Sequence, residues 1–130
     1  MCNTQYNESY NNISRQIMEK NLSESLLSEL RRGTLILCVL SQLGESRYGY
    51  ALVQTLEEKG VVIDANTLYP LLRRLEKQGL LCSEWNTQEA KPRKYYKRTA
   101  YGDRIFGELV EQWNILSSGM NELLKGEKNE

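Results

Sequence analysis

A leucine-patterned segment near the middle of the chain, followed closely by a basic segment, limits the fold most. Residues 64–79 place Leu68, Leu72 and Leu75 on one stripe of a helix, with a polar face opposite. The polar face carries side chains that suit phosphates and base edges: Asn66, Thr67, Tyr69, Arg73 and Arg74. Residues 91–98 then supply five cations and no acid. The pattern predicts a recognition helix that leads into a basic β-hairpin.

The N-terminal part of the chain divides into a polar arm and a helix. Residues 1–22 are rich in asparagine, serine and glutamine, a composition too polar to form a core of its own, although a helix near residues 13–20 is one interpretation. A helix is predicted from Ser23 to the region of Gly44, because glycine commonly follows the end of a helix. Around Leu37 this helix is apolar on all sides. We therefore expect it to be covered by the domain or by a second chain.

Two shorter helices are predicted next. The second spans residues 48–59 and turns its leucines inward. The third begins at Asp64 or at Thr67. The choice stays open because Pro70 lacks the N–H that an interior helical residue donates.

The segments after the third helix predict a wing. Residues 80–85 and 93–98 have strand-like composition and are joined by a polar loop. Tyr95 and Tyr96 point to opposite faces of their strand, and the sequence leaves open which of them is buried.

A long final helix is predicted after Thr99, over residues 100–125, with a short tail at 126–130. Its apolar residues recur at intervals of three and four: Phe106, Leu109, Trp113, Leu116, Met120 and Leu123. This spacing is typical of a heptad seam that needs a partner helix. The predicted fold is mainly α with a small antiparallel β-hairpin. It comprises a winged helix-turn-helix at residues 23–99 and a long C-terminal dimerisation helix.

Composition argues against several classes of function. A chain of 130 residues suits one domain, and it contains no histidine and three cysteines without metal-ligand spacing. We therefore expect no enzyme, no metal site and no cofactor. Cys38 and Cys82 lie in apolar runs and are expected to be buried, whereas Cys2 is expected in a mobile terminus. No apolar run approaches the ~20 residues of a membrane span, so a cytoplasmic protein is expected.

The third helix and the basic wing together predict a surface for double-stranded DNA. Asn66 suits adenine and Arg73 suits guanine, while Thr67 and Tyr69 near the helix start suit phosphates. Three wing cations would add charge: Lys91, Arg93 and Lys94.

Simpler interpretations of the same residues remain open. Arg73 and Arg74 are also explained as solvated side chains that pair with nearby acids such as Glu76. Lysines on a hairpin also discourage aggregation of an edge strand. Because 17 basic residues balance 17 acidic ones, the neutral chain also fits a winged helix that binds an acidic protein partner.

Four segments occur in the order and spacing of a known family: Tyr48–Leu52, Thr67–Glu76 with Gly79 and Leu80, Pro92–Tyr96, and Thr99 with Gly102. In these segments the chain resembles the PadR family of bacterial winged-helix transcriptional regulators. The resemblance implies a homodimer, in which the last helix packs against the first helix of the other subunit, and repression at inverted-repeat operators. It also implies operator contacts from the third helix, Tyr69 among them, and a wing contact from Lys94.

The resemblance also raises the hypothesis of a small aromatic effector. Some family members bind flat aromatic compounds at the dimer interface, which would place an effector beside Trp113, Leu109 and Met120. The simpler interpretation of Trp113 is a core residue of the dimer seam. Two features depart from the family: the arm is long, and Arg98 replaces the usual aliphatic residue. The end of the wing strand is therefore expected to be less buried or to add a phosphate contact.

Overall fold

The computed structural model of the chain describes residues 8–88 and 90–128, with the side chains of residues 11–88 and 90–126. Arm residues 1–7, with Cys2, and tail residues 129–130 lie outside the described residues. The elements are α1 (Glu8–Ser41), β1 (Arg47–Tyr48), α2 (Gly49–Glu58), α3 (Ala65–Lys77), β2 (Leu81–Asn86), β3 (Arg93–Arg98) and α4 (Ala100–Lys128). The contacts divide the chain into two units, one ending at Leu35 and the other beginning at Ile36.

The first unit contains the part of α1 that precedes Ile36. The helix start predicted at Ser23 is wrong, because α1 is already helical from Glu8. Polarity argues against a core but not against a helix, and Glu19 and Lys20 are good helix formers. The large apolar side chains of this unit before Leu35 are exposed: Ile13, Ile17, Met18, Leu22, Leu26, Leu27 and Leu30.

The second unit holds the buried core. The end of α1, the inner faces of α2 and α3, and the sheet supply its side chains. Its most deeply buried members, each 2 % exposed or less, are Val39, Leu40, Leu43, Leu52, Leu56, Leu68, Leu72, Leu75 and Leu81. The predicted leucine stripe of the third helix is confirmed, since Leu68, Leu72 and Leu75 all lie in this core.

The wing belongs to a three-stranded antiparallel sheet with the order β1-β3-β2. The fold class predicted from the sequence, a winged helix with a C-terminal helix, is confirmed. The sheet contains one strand more than predicted, because the two-residue strand β1 is too short to show an alternating pattern. Tyr96 is the buried tyrosine, at 3 % exposure. Tyr95 packs edge to face on Tyr48, with ring centroids 5.4 Å apart.

The structure decides where α3 begins. Asp64 is the N-cap, and its Oδ1 accepts a hydrogen bond of 2.8 Å from the backbone N–H of Thr67. Pro70 therefore lies inside the helix. The proline lacks the N–H that would otherwise bond to the carbonyl of Asn66.

Close backbone contacts fix the start of α4. The hydroxyl of Thr99 donates to the carbonyl of Gly79 at 2.6 Å and accepts from the N–H of Gly102 at 2.9 Å. A Cβ atom at position 102 would lie 2.0 Å from the carbonyl oxygen of Leu80, so only glycine fits there. The predicted cap at Thr99 is confirmed, and α4 continues to Lys128, beyond the predicted end at 125.

Arg98 corrects the expectation for the end of the wing strand. Its side chain is only 14 % exposed and donates through Nε to Asp103 Oδ1 at 2.8 Å. The guanidinium also donates to the carbonyl of Leu40 and lies 4.3 Å from the ring centroid of Phe106. Arg98 is thus neither less buried nor turned toward a phosphate, because its hydrogen bonds hold it between α1 and α4.

Two cysteines differ in their surroundings. Burial raises the pKa of the half-buried Cys38 thiol, because desolvation disfavours the thiolate. The expected burial of Cys82 is wrong, since alternation along β2 turns this residue outward after the buried Leu81. Within residues 8–88 and 90–128, no helix has the length and apolar character needed to cross a membrane.

Candidate nucleic-acid interface

The outer face of α3 presents its polar side chains to solvent. The exposed residues are Asn66, Thr67, Tyr69, Arg73 and Arg74. Among the described residues, neither arginine takes part in an ion pair. The acid nearest in sequence, Glu76, is instead bonded to the wing. Pairing with Glu76 therefore does not explain the two arginines.

Glu76 connects α3 to the wing. Its Oε1 lies 3.5 Å from Lys94 Nζ, and its Oε2 accepts a hydrogen bond from the hydroxyl of Ser83. Lys94 Nζ also lies 5.4 Å from the ring centroid of Tyr96. These contacts fix the inner face of the hairpin against the recognition helix, and Glu76 partly neutralises Lys94.

A cleft of about 660 Å³ separates the outer part of α3 from the wing. Tyr69 and Arg73 line it from α3. Lys91, Arg93 and Lys94 line it from the hairpin. The described lining residues include no carboxylate, so the cleft is locally positive although the chain as a whole is neutral.

The other predicted contact residues lie outside this cleft. Asn66, Thr67 and Arg74 are exposed on α3 but do not line the space next to the wing. The structure thus brings two of the five α3 residues together with the wing cations. The remaining three lie elsewhere on the exposed surface of α3.

The start of α2 contributes residues to the cleft that the sequence analysis did not assign to DNA. Tyr48, Gly49 and Tyr50 line it. A Cβ atom at position 49 would lie 2.5 Å from the ring of Tyr69, so glycine allows this ring to pack on the helix start. The guanidinium of Arg93 lies 4.4 Å from the ring centroid of Tyr48. A glycine between two tyrosines is the sequence signal for this close approach.

The N-terminus of α2 suits an anion. Tyr48 is the N-cap, and its side chain makes no capping hydrogen bond. The first N–H groups of a helix lack partners within the helix and carry partial positive charge. Gly49 and Tyr50, the first residues of α2, line the cleft together with the cations of the wing.

Trp85 was also missed by the sequence analysis. It lies on β2, lines the cleft and is 63 % exposed. Alternate residues of a strand share a face, so Trp85 lies on the same face of β2 as Ser83. Ser83 faces α3, because its hydroxyl bonds to Glu76.

The predicted dimerisation residues of distal α4 are more exposed than the others. Leu37, Phe106 and Leu109 are partly buried, whereas Trp113 is 42 % exposed, Leu116 59 %, Met120 44 % and Leu123 74 %. The distal part of α4 therefore presents an uncovered apolar surface.

Comparisons with known proteins agree with this architecture. Residues 36–108 match the transcriptional regulator PadR-like family. The chain is 31 % identical over 104 residues to transcriptional regulator Rv3488 of Mycobacterium tuberculosis, and the match covers 79 % of this chain and 94 % of that protein.

Two solved structures of PadR-type regulators are also similar to this chain. A PadR family transcriptional regulator from Eggerthella lenta is 53 % identical, with a TM-score of 0.75 over 83 % of this chain and 96 % of that one. A PadR-like transcription factor from Bacteroides fragilis is 37 % identical, with a TM-score of 0.64 over 76 % and 98 % of the two chains. The chain belongs to the PadR-like family of transcriptional regulators.

Proposed function

We propose that the protein is a sequence-specific regulator that binds double-stranded DNA as a homodimer and represses transcription from an inverted-repeat operator. The observation that carries this proposal is the shared cleft, in which Tyr69 and Arg73 of α3 face the cations of the wing. A winged helix inserts its third helix into the major groove, while the wing follows the adjacent backbone. The regulator family of the chain supports the same function.

The exposed residues of α3 would read the bases. Asn66 would form paired hydrogen bonds with adenine, and Arg73 would do so with guanine. Both side chains are exposed and project from the helix face opposite the leucine core. Thr67, Tyr69 and Arg74 would contact phosphates and set the position of the helix in the groove.

Wing cations would bind the flanking backbone. Lys91 and Arg93 lie in the cleft beside the N-terminus of α2, which itself suits a phosphate. Lys94 would bind DNA while remaining close to Glu76.

The proposal divides the chain into an arm (1–22), a DNA-binding domain (23–99), a dimerisation helix (100–125) and a tail (126–130).

Uncovered apolar side chains support the dimer. Trp113, Leu116, Met120 and Leu123 would pack against the first helix of the second subunit, in the region of Leu37, with Phe106 and Leu109 at the proximal end. Two subunits would then present two copies of α3 to successive major grooves, about 34 Å apart.

Trp113 separates two versions of this proposal. Its partial exposure fits a residue of the dimer seam, and it equally fits a wall of a site for a small aromatic effector together with Leu109 and Met120. An effector would act by stabilising a dimer whose α3 helices no longer match successive grooves. Release of bound DNA on adding an aromatic compound, lost in Trp113→Ala while the dimer persists, would establish the effector version.

Selection of duplexes from a random pool, followed by fluorescence anisotropy, tests the function. We expect one inverted-repeat sequence to be enriched, and we expect affinity to fall by about three orders of magnitude or more between roughly 50 and 200 mM salt. A winged helix that binds only an acidic protein would enrich no sequence and would bind no duplex at low salt.

The Arg73→Ala variant tests whether Arg73 reads a base. The change should reduce the preference for the selected duplex over random DNA by about tenfold, because a bidentate contact to guanine is lost. Lys77→Ala removes an exposed cation of α3 outside the cleft and serves as the control. Equal loss of affinity for both duplexes in Arg73→Ala would show that Arg73 does not read a base.

A further inference from the structure

The indole ring of Trp85 lies on the inner face of the wing and remains largely exposed. Trp85 on β2 pairs across the ladder with Lys94 on β3. Residues opposite each other in antiparallel strands share a face, as do alternate residues of one strand. Ser83 and Lys94 both bond to Glu76 of α3, so the face that Trp85 shares is the one turned toward the recognition helix.

Trp85 lies beyond the point where α3 covers this face. Glu76 holds the hairpin at Ser83, whereas Trp85, farther toward the hairpin loop, is 63 % exposed. A ligand that buries this aromatic ring would gain free energy, because the burial releases ordered water. The ring borders the same cleft as Arg73 and Lys94.

A DNA strand offers two kinds of surface to such a cleft. Its phosphates pair with cations, and the deoxyriboses between them present apolar C–H groups. Lys91 and Lys94 supply cations from the hairpin, and Trp85 supplies a flat apolar face on the same side of the cleft. The arrangement matches the alternation of charge and apolar surface along one strand.

We propose that Trp85 packs its indole ring against a deoxyribose of the DNA strand that Lys91 and Lys94 hold by its phosphates. This inference rests on the proposed function and adds an uncharged contact to it. An indole neutralises no phosphate and releases no counterion. Trp85 therefore contributes affinity that does not depend on salt, unlike the cations beside it.

Salt titrations of four variants test the proposal on the selected duplex. Trp85→Ala should weaken binding about tenfold and Trp85→Phe about threefold, both with the salt slope of the unmodified protein. Lys94→Gln should lower the slope by about one. Val62→Ala truncates an apolar residue that is 80 % exposed and lies outside the cleft, and its affinity should be unchanged.

NMR gives an independent readout. The indole N–H signal of Trp85, identified by its loss in Trp85→Phe, should shift on adding the selected duplex. A duplex whose phosphates are replaced by uncharged methylphosphonates keeps its deoxyriboses, so it should still shift this signal. Unchanged affinity of Trp85→Ala, or a reduced salt slope in that variant, would overturn the proposal. If the unmodified protein binds no duplex, the proposed function itself fails, which is a different result from normal binding by Trp85→Ala.

Discussion

Leucine side chains are buried in the winged-helix core but exposed along much of the two long helices. Leu52 and Leu72, in α2 and α3, are 1 % and 0 % exposed. Leu30 in α1 is 73 % exposed, and Leu116 and Leu123 in α4 are 59 % and 74 % exposed. The core contains its own packing partners, whereas the long helices do not cover these leucines.

This difference separates folding from assembly. Apolar area buried within the core stabilises the folded chain, while apolar area left exposed on a helix is available to a second chain. Changes in the core should therefore lower the stability of the fold. Changes at the exposed leucines should alter self-association and leave the fold largely intact.

Leu116→Asp should have the largest effect on assembly. A charge placed in an apolar seam is desolvated without a partner, so we expect dimerisation to weaken by about a thousandfold or more. Analytical ultracentrifugation should then detect monomers, and binding to the selected duplex should be lost. The helical circular dichroism of the core should remain.

Ser118→Asp is the matched control, because this exposed residue lies on the opposite side of α4 from the seam. It introduces the same charge and should leave the dimer intact. A dimer that persists in Leu116→Asp would remove the argument that the exposed leucines of α4 serve assembly.

Leu72→Ala should give the largest loss of stability. Leu72 is 0 % exposed, and such a truncation costs about 2–5 kcal/mol in a packed core. Leu30→Ala makes the same chemical change at a 73 % exposed position, where we expect a change within about 0.5 kcal/mol at a concentration that keeps the chain monomeric. Urea denaturation of the two variants measures both. Equal losses would contradict the division between core and long helices.

The elements with strong local patterns could be predicted from the sequence. The leucine spacing of α3, the strand composition of β2 and β3 and the cap at Thr99 each depend on residues close in sequence. Their positions in the structure agree within a few residues.

Features that depend on distant contacts could not be predicted. Strand β1 exists because Arg47 and Tyr48 pair with β3, far along the chain. Glu76 joins α3 to the wing through its contacts with Ser83 and Lys94. Local periodicity contains no information on such contacts.

Arg98→Leu tests the connection between the two regions, since Arg98 links the end of α1 with α4. The change places an apolar side chain at this position but removes the donors to Leu40 and Asp103, so we expect a loss of about 1–3 kcal/mol. Thermal unfolding measures it. Lys97→Leu, at the exposed neighbouring position, is the control and should stay within about 0.5 kcal/mol. No loss in Arg98→Leu would show that leucine packing replaces the hydrogen bonds.

Asp64→Ala should have the smallest effect. It removes the side chain that accepts a 2.8 Å hydrogen bond from the N–H of Thr67, and loss of such a cap costs about 1 kcal/mol. Asp64→Asn keeps an acceptor and should recover most of this stability in urea denaturation. Because the cap also positions Asn66 and Thr67, operator affinity should fall in Asp64→Ala more than in Asp64→Asn. Equal stability of the two variants would mean that packing of the α3 leucines, rather than the cap, determines where the helix begins.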